Sequence, residues 1–247
     1  MMKINFRSII VGVIFLAILV GGIFFLKMKK AQKPVEVSRG IPLPAGAMIY
    51  RAPEKARGPS NAPVKLLEYS DFECPACRGV QDVVNELFKK YPGKIQLTFK
   101  HYPLQNHRWS MYAHQAAECM SVQGKFWAYH DKLYTKQQEW AVSLTPPVET
   151  FIKYAQEIGA DMDRLGACLS DVAVTREIYA EKEQGTAVQV SATPTFFLGK
   201  ERFVGPKEMK ERAENAVRAV LGLPPISVPV NQKPAESQAA NAAKTGI

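Results

Sequence analysis

The stretch VKLLEYSDFECPAC, residues 64–77, decides the fold. VKLLEYS (64–70) is mostly apolar and reads as a strand buried on both faces. Pro75 then opens a helix, because its fixed φ suits the first helical turn and its missing N–H is not needed there. The apolar positions of that helix are Val80, Val83, Val84, Leu87, Phe88 and Tyr91, which lie along one helix face. Pro92-Gly93 ends it. KIQLTFKHY (94–102) follows, alternating Ile95, Leu97 and Phe99 as a strand does. Strand, helix and strand within about forty residues make a βαβ unit, with a parallel pair and a right-handed crossover.

Beyond this unit, the chain from His107 to Val188 has a helical pattern. Breaks are predicted near Ser143–Pro147, at Gly159-Ala160 and at Gly185. TFFLG (195–199) is apolar and β-prone, and a turn at Gly199-Lys200 leads into ERFVG as its hairpin partner. Lys207 to Leu221 is an amphipathic helix with Met209, Ala213, Val217 and Leu221 on one side. From Gly222 the chain turns to Pro, Ala, Asn and Gln without periodicity, so 222–247 is read as a disordered tail. No internal repeat is visible. The element order is β-α-β, a helical insert over about 105–190, β-β, α. This order predicts an α/β protein with a thioredoxin-like fold and a large α-helical insertion, occupying residues 63–221.

The N-terminal part is of another kind. Ile9 to Leu26 is uncharged and apolar, long enough to cross a bilayer as a helix. Lys27, Lys29, Lys30 and Lys33 follow it without a small-residue cleavage site, so 1–30 reads as a single transmembrane anchor, with a signal sequence as the alternative. Residues 31–62 read as a Pro-, Gly- and Ala-rich linker. The count of flanking lysines alone would leave the globular part in the cytoplasm. The overall charge of +9 and pI of 9.3 invite a nucleic-acid reading. However, six of those charges lie within residues 1–33, where no acidic residue stands. The excess is a membrane-flank signal, and no nucleic-acid partner is expected.

Cys74-Pro75-Ala76-Cys77 lies between the predicted strand and the predicted helix, the setting of a dithiol redox motif. Unpaired N–H groups at a helix start favour an anion, so Cys74 is expected to be the attacking thiolate. One helical turn brings Cys77 within reach as the resolving thiol. Ala76 offers that thiolate no polar side chain, which argues for a less extreme oxidant. The competing readings are a structural pair and a zinc half-site. A structural zinc needs two more ligands, and neither Cys119, Cys168 nor the four histidines supply a matching spacing. No metal and no cofactor are expected.

DFECPACRGV and the distant SATPTFFLGK together resemble the DsbA-like thiol–disulfide oxidoreductases of the thioredoxin superfamily. RGPSNAPVKLLEYSDFECPAC and AAECMSVQGKFWAYHDKLY (116–134) are similar to its membrane-anchored or secreted branch. The resemblance spans residues 58–221. It implies that Thr193-Pro194 is a cis bond facing the cysteines, with Thr193 offering backbone groups to an extended substrate. The alternative is a proline that merely starts a strand. Ala192 departs from the glycine of many relatives. Glu68, inside the buried strand, is expected to have a raised pKa and to exchange a proton with Cys77; the alternative is a solvated carboxylate at a sheet edge. Cys119 and Cys168 are read as a structural disulfide, against two separate buried thiols. Phe72, Pro75 and Ala76 are taken as active-site neighbours. Phe126, Trp127, Trp109 and Tyr112 are read as core, and Lys100 and His101 as solvated strand-end residues.

The function implied is a thiol–disulfide oxidoreductase that introduces or exchanges disulfides in extracytoplasmic proteins. Its partners would be unfolded exported substrates and a membrane redox protein, either a quinone-linked DsbB-like oxidase or a reductase. Its place would be the cytoplasmic membrane, with the domain facing the periplasm, as in the exported members it resembles. The alternatives are a reductase or isomerase of the same fold, and a copper-handling or holdase module using the same thiols. The absence of Met- or His-rich tracts speaks against copper.

Overall fold

The computed structural model describes residues 55–226. The expected anchor (1–30), most of the linker and the tail beyond 226 lie outside the described residues. Among those described, no helix is long and apolar enough to cross a membrane.

A five-stranded sheet forms the centre, in the order β1-β3-β2-β4-β5. Its strands are β1 (Ala56–Arg57), β2 (Val64–Ser70), β3 (Ile95–His101), β4 (Thr195–Leu198) and β5 (Glu201–Val204). β2 and β3 are parallel, with Leu66 opposite Leu97, and the other pairings are antiparallel. β2 has strands on both sides, which explains its near-continuous apolar sequence. β1 sits inside the stretch read as linker and pairs with β3 through Ala56 and Arg57. Two residues carry too little pattern to announce a strand.

The predicted helix after Pro75 forms as two pieces, α1 (Pro75–Gly79) and α2 (Gln81–Lys90). Val80 ends the first and starts the second, with its own backbone still in the helical region. On this side Val64, Leu66, Ile95, Leu97, Phe196 and Phe203 of the sheet pack against Val80, Val84 and Leu87. The same cluster includes Met209, Ala213 and Val217 of the last helix (Gly205–Val220).

The insert between β3 and β4 supplies α3 (Ser110–Ser121), α4 (Phe126–Thr135), α5 (Gln137–Trp140), α6 (Val148–Glu157), α7 (Met162–Leu169) and α8 (Val172–Ala187); the last helix is α9. Asp161 and Asp171 cap α7 and α8 by accepting the N–H groups of Arg164 and Ala173. The breaks at 143–147 and 159–160 fall between helices as predicted. Gly185 does not break α8. A Cβ there would come within 2.8 Å of the Tyr69 and Tyr102 rings, so glycine lets the helix lie close on the sheet.

Cys119 and Cys168 are bonded, tying α3 to α7. The insert also corrects the reading of Lys100 and His101, which are buried, not solvated. α8 brings Glu181 to 2.9 Å from both Lys100 Nζ and Lys55 Nζ, and Glu181 also accepts the His101 backbone N–H. α3 brings Glu118 to 2.7 Å from Lys55 and 2.9 Å from His101 Nε2. Burial pushes His101 down to about 4, with the Lys55 charge adding to that effect. An unfolded histidine takes up its proton near 6.5, so His101 contributes stability that is lost as pH falls from about 6.5 toward 4.

Two stability effects are expected in denaturant unfolding. The Cys119→Ala/Cys168→Ala variant should lose about 4 kcal/mol, the loop-closure entropy of a 49-residue separation. Glu181→Leu leaves Lys100 buried without a counter-charge and should cost about 3–5 kcal/mol.

Candidate active site

β2 delivers the site. Its end, Ser70, leads through Asp71-Phe72-Glu73 to Cys74, which has extended backbone (φ −70°, ψ 121°) immediately before α1. Cys74 is 7% exposed, whereas Cys77, one turn on, is fully buried. Both are free thiols. The Cys77 thiol interacts with the Cys74 sulfur, and this is the largest cause that lowers Cys74, to about 5. Partial burial opposes the shift. The Thr193 side chain and the backbone N–H groups of Cys77 and Ala76 add to it. Cys77 moves the other way. Burial pushes its thiol well up, and the neighbouring Cys74 pushes it further. The Asp71 backbone N–H lies 3.5 Å from Cys77 Sγ and donates to it.

The distant proline motif closes on this pair. Thr193-Pro194 is cis, and both residues are buried. Cys74 Sγ lies 3.5 Å from the Thr193 carbonyl oxygen, 119 residues away in the chain. Pro194 stands just before β4, and its carbonyl accepts the Gly205 N–H at 2.8 Å. The Ala192 carbonyl accepts the Thr195 hydroxyl at 2.7 Å, so the turn closes without a glycine at 192.

Glu68 lies at the centre of the sheet, opposite Phe99 on one side and Phe196 on the other. It is fully buried, and neither carboxylate oxygen has a hydrogen-bond partner. Burial raises it to about 7, only partly offset by the Ser70 and Gln81 side chains. The sheet-edge alternative therefore does not hold. Pro75 is exposed and Ala76 half-buried beside the thiols. Phe72, read as an active-site neighbour, packs in one cluster with Cys74 and Cys77. It is wholly buried and stacked on Phe99 at 5.0 Å, because α3 and α4 close over it. Phe126 and Trp109 are core as read, whereas Tyr112 is 40% exposed.

Several residues at the site were not singled out in the sequence. Gln137 donates its side-chain amide to the Phe72 and Cys74 carbonyls at 2.7 and 3.0 Å. Tyr134 contacts the Ser70 hydroxyl at 2.9 Å. The Asp71 carboxylate collects donors from the loop 104–110, and Glu73 accepts the Trp109 N–H. One signal was available: Glu68, Asp71 and Glu73 crowd into the six positions before Cys74, and only the first was weighed. Gln137 and Tyr134 come from the insert and carry no local signal. Among the described residues, no group of three or more His, Cys, Asp or Glu side chains is placed to hold a metal ion.

Fold and dithiol turn together define a protein of the thioredoxin family. The thioredoxin family model matches residues 52–216, and the chain belongs to that family. Among solved structures, the thiol-disulfide exchange protein alpha-DsbA2 of Wolbachia pipientis matches with a TM-score of 0.57 at 19% identity, over 66% of this chain and 86% of its own. Alpha-DsbA1 of the same organism gives 0.59 at 22%, over 68% and 90%. BdbD from Bacillus subtilis gives 0.56 at 21%, over 66% and 92%. At these identities the likeness is one of fold. A curated relative, the Na(+)/H(+) antiporter NhaA 3 of Salinispora tropica, is 36% identical over 181 residues, 72% of this chain and 26% of the antiporter. The chain thus spans about a quarter of that relative's length.

Two measurements follow from these environments. Alkylation of the reduced protein should modify Cys74 with a midpoint near pH 5 and spare Cys77; an ordinary thiol has its midpoint at about 8.5. Glu68 ionises in the unfolded chain near 4.5 and in the fold near 7, so the stability held below 4.5 is lost as pH rises through 7. Glu68→Gln should match the parent at pH 4 and exceed its stability by about 3 kcal/mol at pH 8, read by denaturant unfolding.

Proposed function

We propose that this protein is a thiol–disulfide oxidoreductase that oxidises cysteines in extracytoplasmic proteins. The observation that carries this reading is the opposite tuning of two thiols one turn apart: Cys74 held low beside the cis Thr193-Pro194 bond, and Cys77 held high in the interior. A thiolate stabilised in the reduced protein favours reduction of its own disulfide, and so oxidation of the partner.

The reaction starts from the Cys74–Cys77 disulfide. A substrate thiolate attacks Cys74 Sγ, the S–S bond breaks, and Cys77 leaves with the electron pair. Glu68, raised to about 7 within the same interior, supplies the proton Cys77 needs and takes one back in the reverse direction. A second substrate thiolate then attacks the substrate sulfur of the mixed disulfide, and Cys74 departs as its stabilised thiolate. The substrate loses two electrons and gains a disulfide. The Thr193 carbonyl beside Cys74 supports pairing of this backbone with an extended substrate segment.

A membrane redox protein, quinone-linked, would reoxidise the pair. The apolar run 9–26 supports a membrane tether. The Cys119–Cys168 bond supports an oxidising compartment and hence a periplasmic-side domain. Ion transport, named for the much longer antiporter relatives, forms no part of this reading.

The test is oxidation of a reduced, unfolded model protein in a glutathione buffer. The parent should accelerate it. Cys74→Ser should abolish the acceleration, and Glu68→Gln should slow it by about tenfold or more, within the range of a lost acid–base group. A parent with no effect would overturn the proposal. Alkylation of the pair in cells separates direction: a mainly oxidised pair fits an oxidase, a mainly reduced one a reductase or isomerase.

A further inference from the structure

Asp71 is the most heavily bonded side chain near the dithiol, and the reaction above does not use it. It is fully buried. Oδ1 accepts the Glu73 N–H at 2.9 Å and the Ser110 hydroxyl at 2.7 Å. Oδ2 accepts the Leu104 N–H at 2.7 Å and His107 Nδ1 at 2.8 Å. His114 Nε2 lies 3.5 Å from Oδ1. The backbone of the same residue touches both cysteines: its carbonyl accepts the Cys74 N–H at 3.1 Å, and its N–H donates to Cys77 Sγ. A buried carboxylate this close to a forming thiolate works against it by like charge. The partner that offsets this charge toward solvent is His107, whose side chain is 17% exposed and sits at the rim.

We infer that Asp71 and His107 form a positioning pair, in which the buried carboxylate holds a cationic imidazole at the rim of the site and so preserves the thiolate on Cys74. The inference rests on Cys74 as the reacting thiol. The bond to Asp71 raises His107 above its ordinary 6.5, burial opposes this, and the charges of Cys74 and Glu73 add to the rise. His107 therefore carries its proton throughout the titration of Cys74 near 5. The other charged groups around the loop are Arg108, stacked on Trp109, and Lys182 of α8, which donates to the Pro103 carbonyl. Neither bonds Asp71. Removing the imidazole charge leaves the carboxylate uncompensated beside the pair.

The test uses His107→Gln, which keeps a donor for Asp71 without the charge, and His107→Lys, which restores a cation. Alkylation against pH reads the Cys74 midpoint, and equilibration with glutathione reads the balance of the pair. His107→Gln should need about tenfold less acid to protonate Cys74, a rise of roughly one pH unit in the midpoint. Its dithiol should be about tenfold less favoured over the disulfide, and His107→Lys should recover most of both. Should His107→Gln fold poorly, the comparison of His107→Lys with His107→Leu decides, both checked by thermal unfolding. A folded neutral variant whose midpoint and equilibrium stay within twofold of the parent overturns the inference. This outcome is distinct from failure of the proposed function, in which the parent itself would not speed oxidation of a reduced protein.

Discussion

A thiolate on Cys74 meets the N–H groups of Ala76 and Cys77, the Thr193 side chain and the Cys77 thiol, whereas Cys77 sits wholly inside the protein. One negative charge is tolerated at the mouth of this turn and a second is not. Most other features of the site arrange for that charge to stay on Cys74. β2 sets the depth at which the chain leaves the sheet, α1 presents its free N–H groups, and the cis bond at Thr193-Pro194 closes the remaining side. Glu68 is stripped of water by the sheet, which leaves both of its oxygens unpaired and raises its pKa to about 7.

The helical insert does more than cover a hydrophobic face. It returns Gln137 to the carbonyls of Phe72 and Cys74, and Tyr134 to Ser70, so the turn that carries the cysteines is bonded from above as well as below. The Cys119–Cys168 bond holds this wall together at a point remote in the chain from Cys74 and Cys77. Phe72 and Phe99 make the apolar contact between wall and sheet, with Phe126 packed beside them.

Beneath the wall lies a chain of buried polar pairs, Lys100 with Glu181, Lys55 with Glu181 and Glu118, and a neutral His101 with Glu118. Such pairs add little net stability compared with apolar packing, but each is costly to break. Their arrangement therefore fixes how α3 and α8 sit on β3 more firmly than it strengthens the fold. His101 Nδ1 is 2.5 Å from His114 Nδ1, which carries this order across to Asp71.

Period and punctuation alone made the βαβ unit, the hairpin, the last helix and the dithiol turn legible, because each is set by neighbours within a few residues. Glu68 was legible too, since a carboxylate inside an apolar strand has nowhere to go but the interior. Gly185 was misread as a break because glycine's local meaning and its packing meaning are the same letter in the sequence. Lys100 and His101 were placed in the wrong surroundings because their environment is built by helices well downstream in the chain. The sequence by itself determined the order of elements and the place of the dithiol turn, which depend on local geometry. Tertiary structure alone decided which charged groups face one another, because charge pairing depends on segments that meet only when the insert folds back over the sheet.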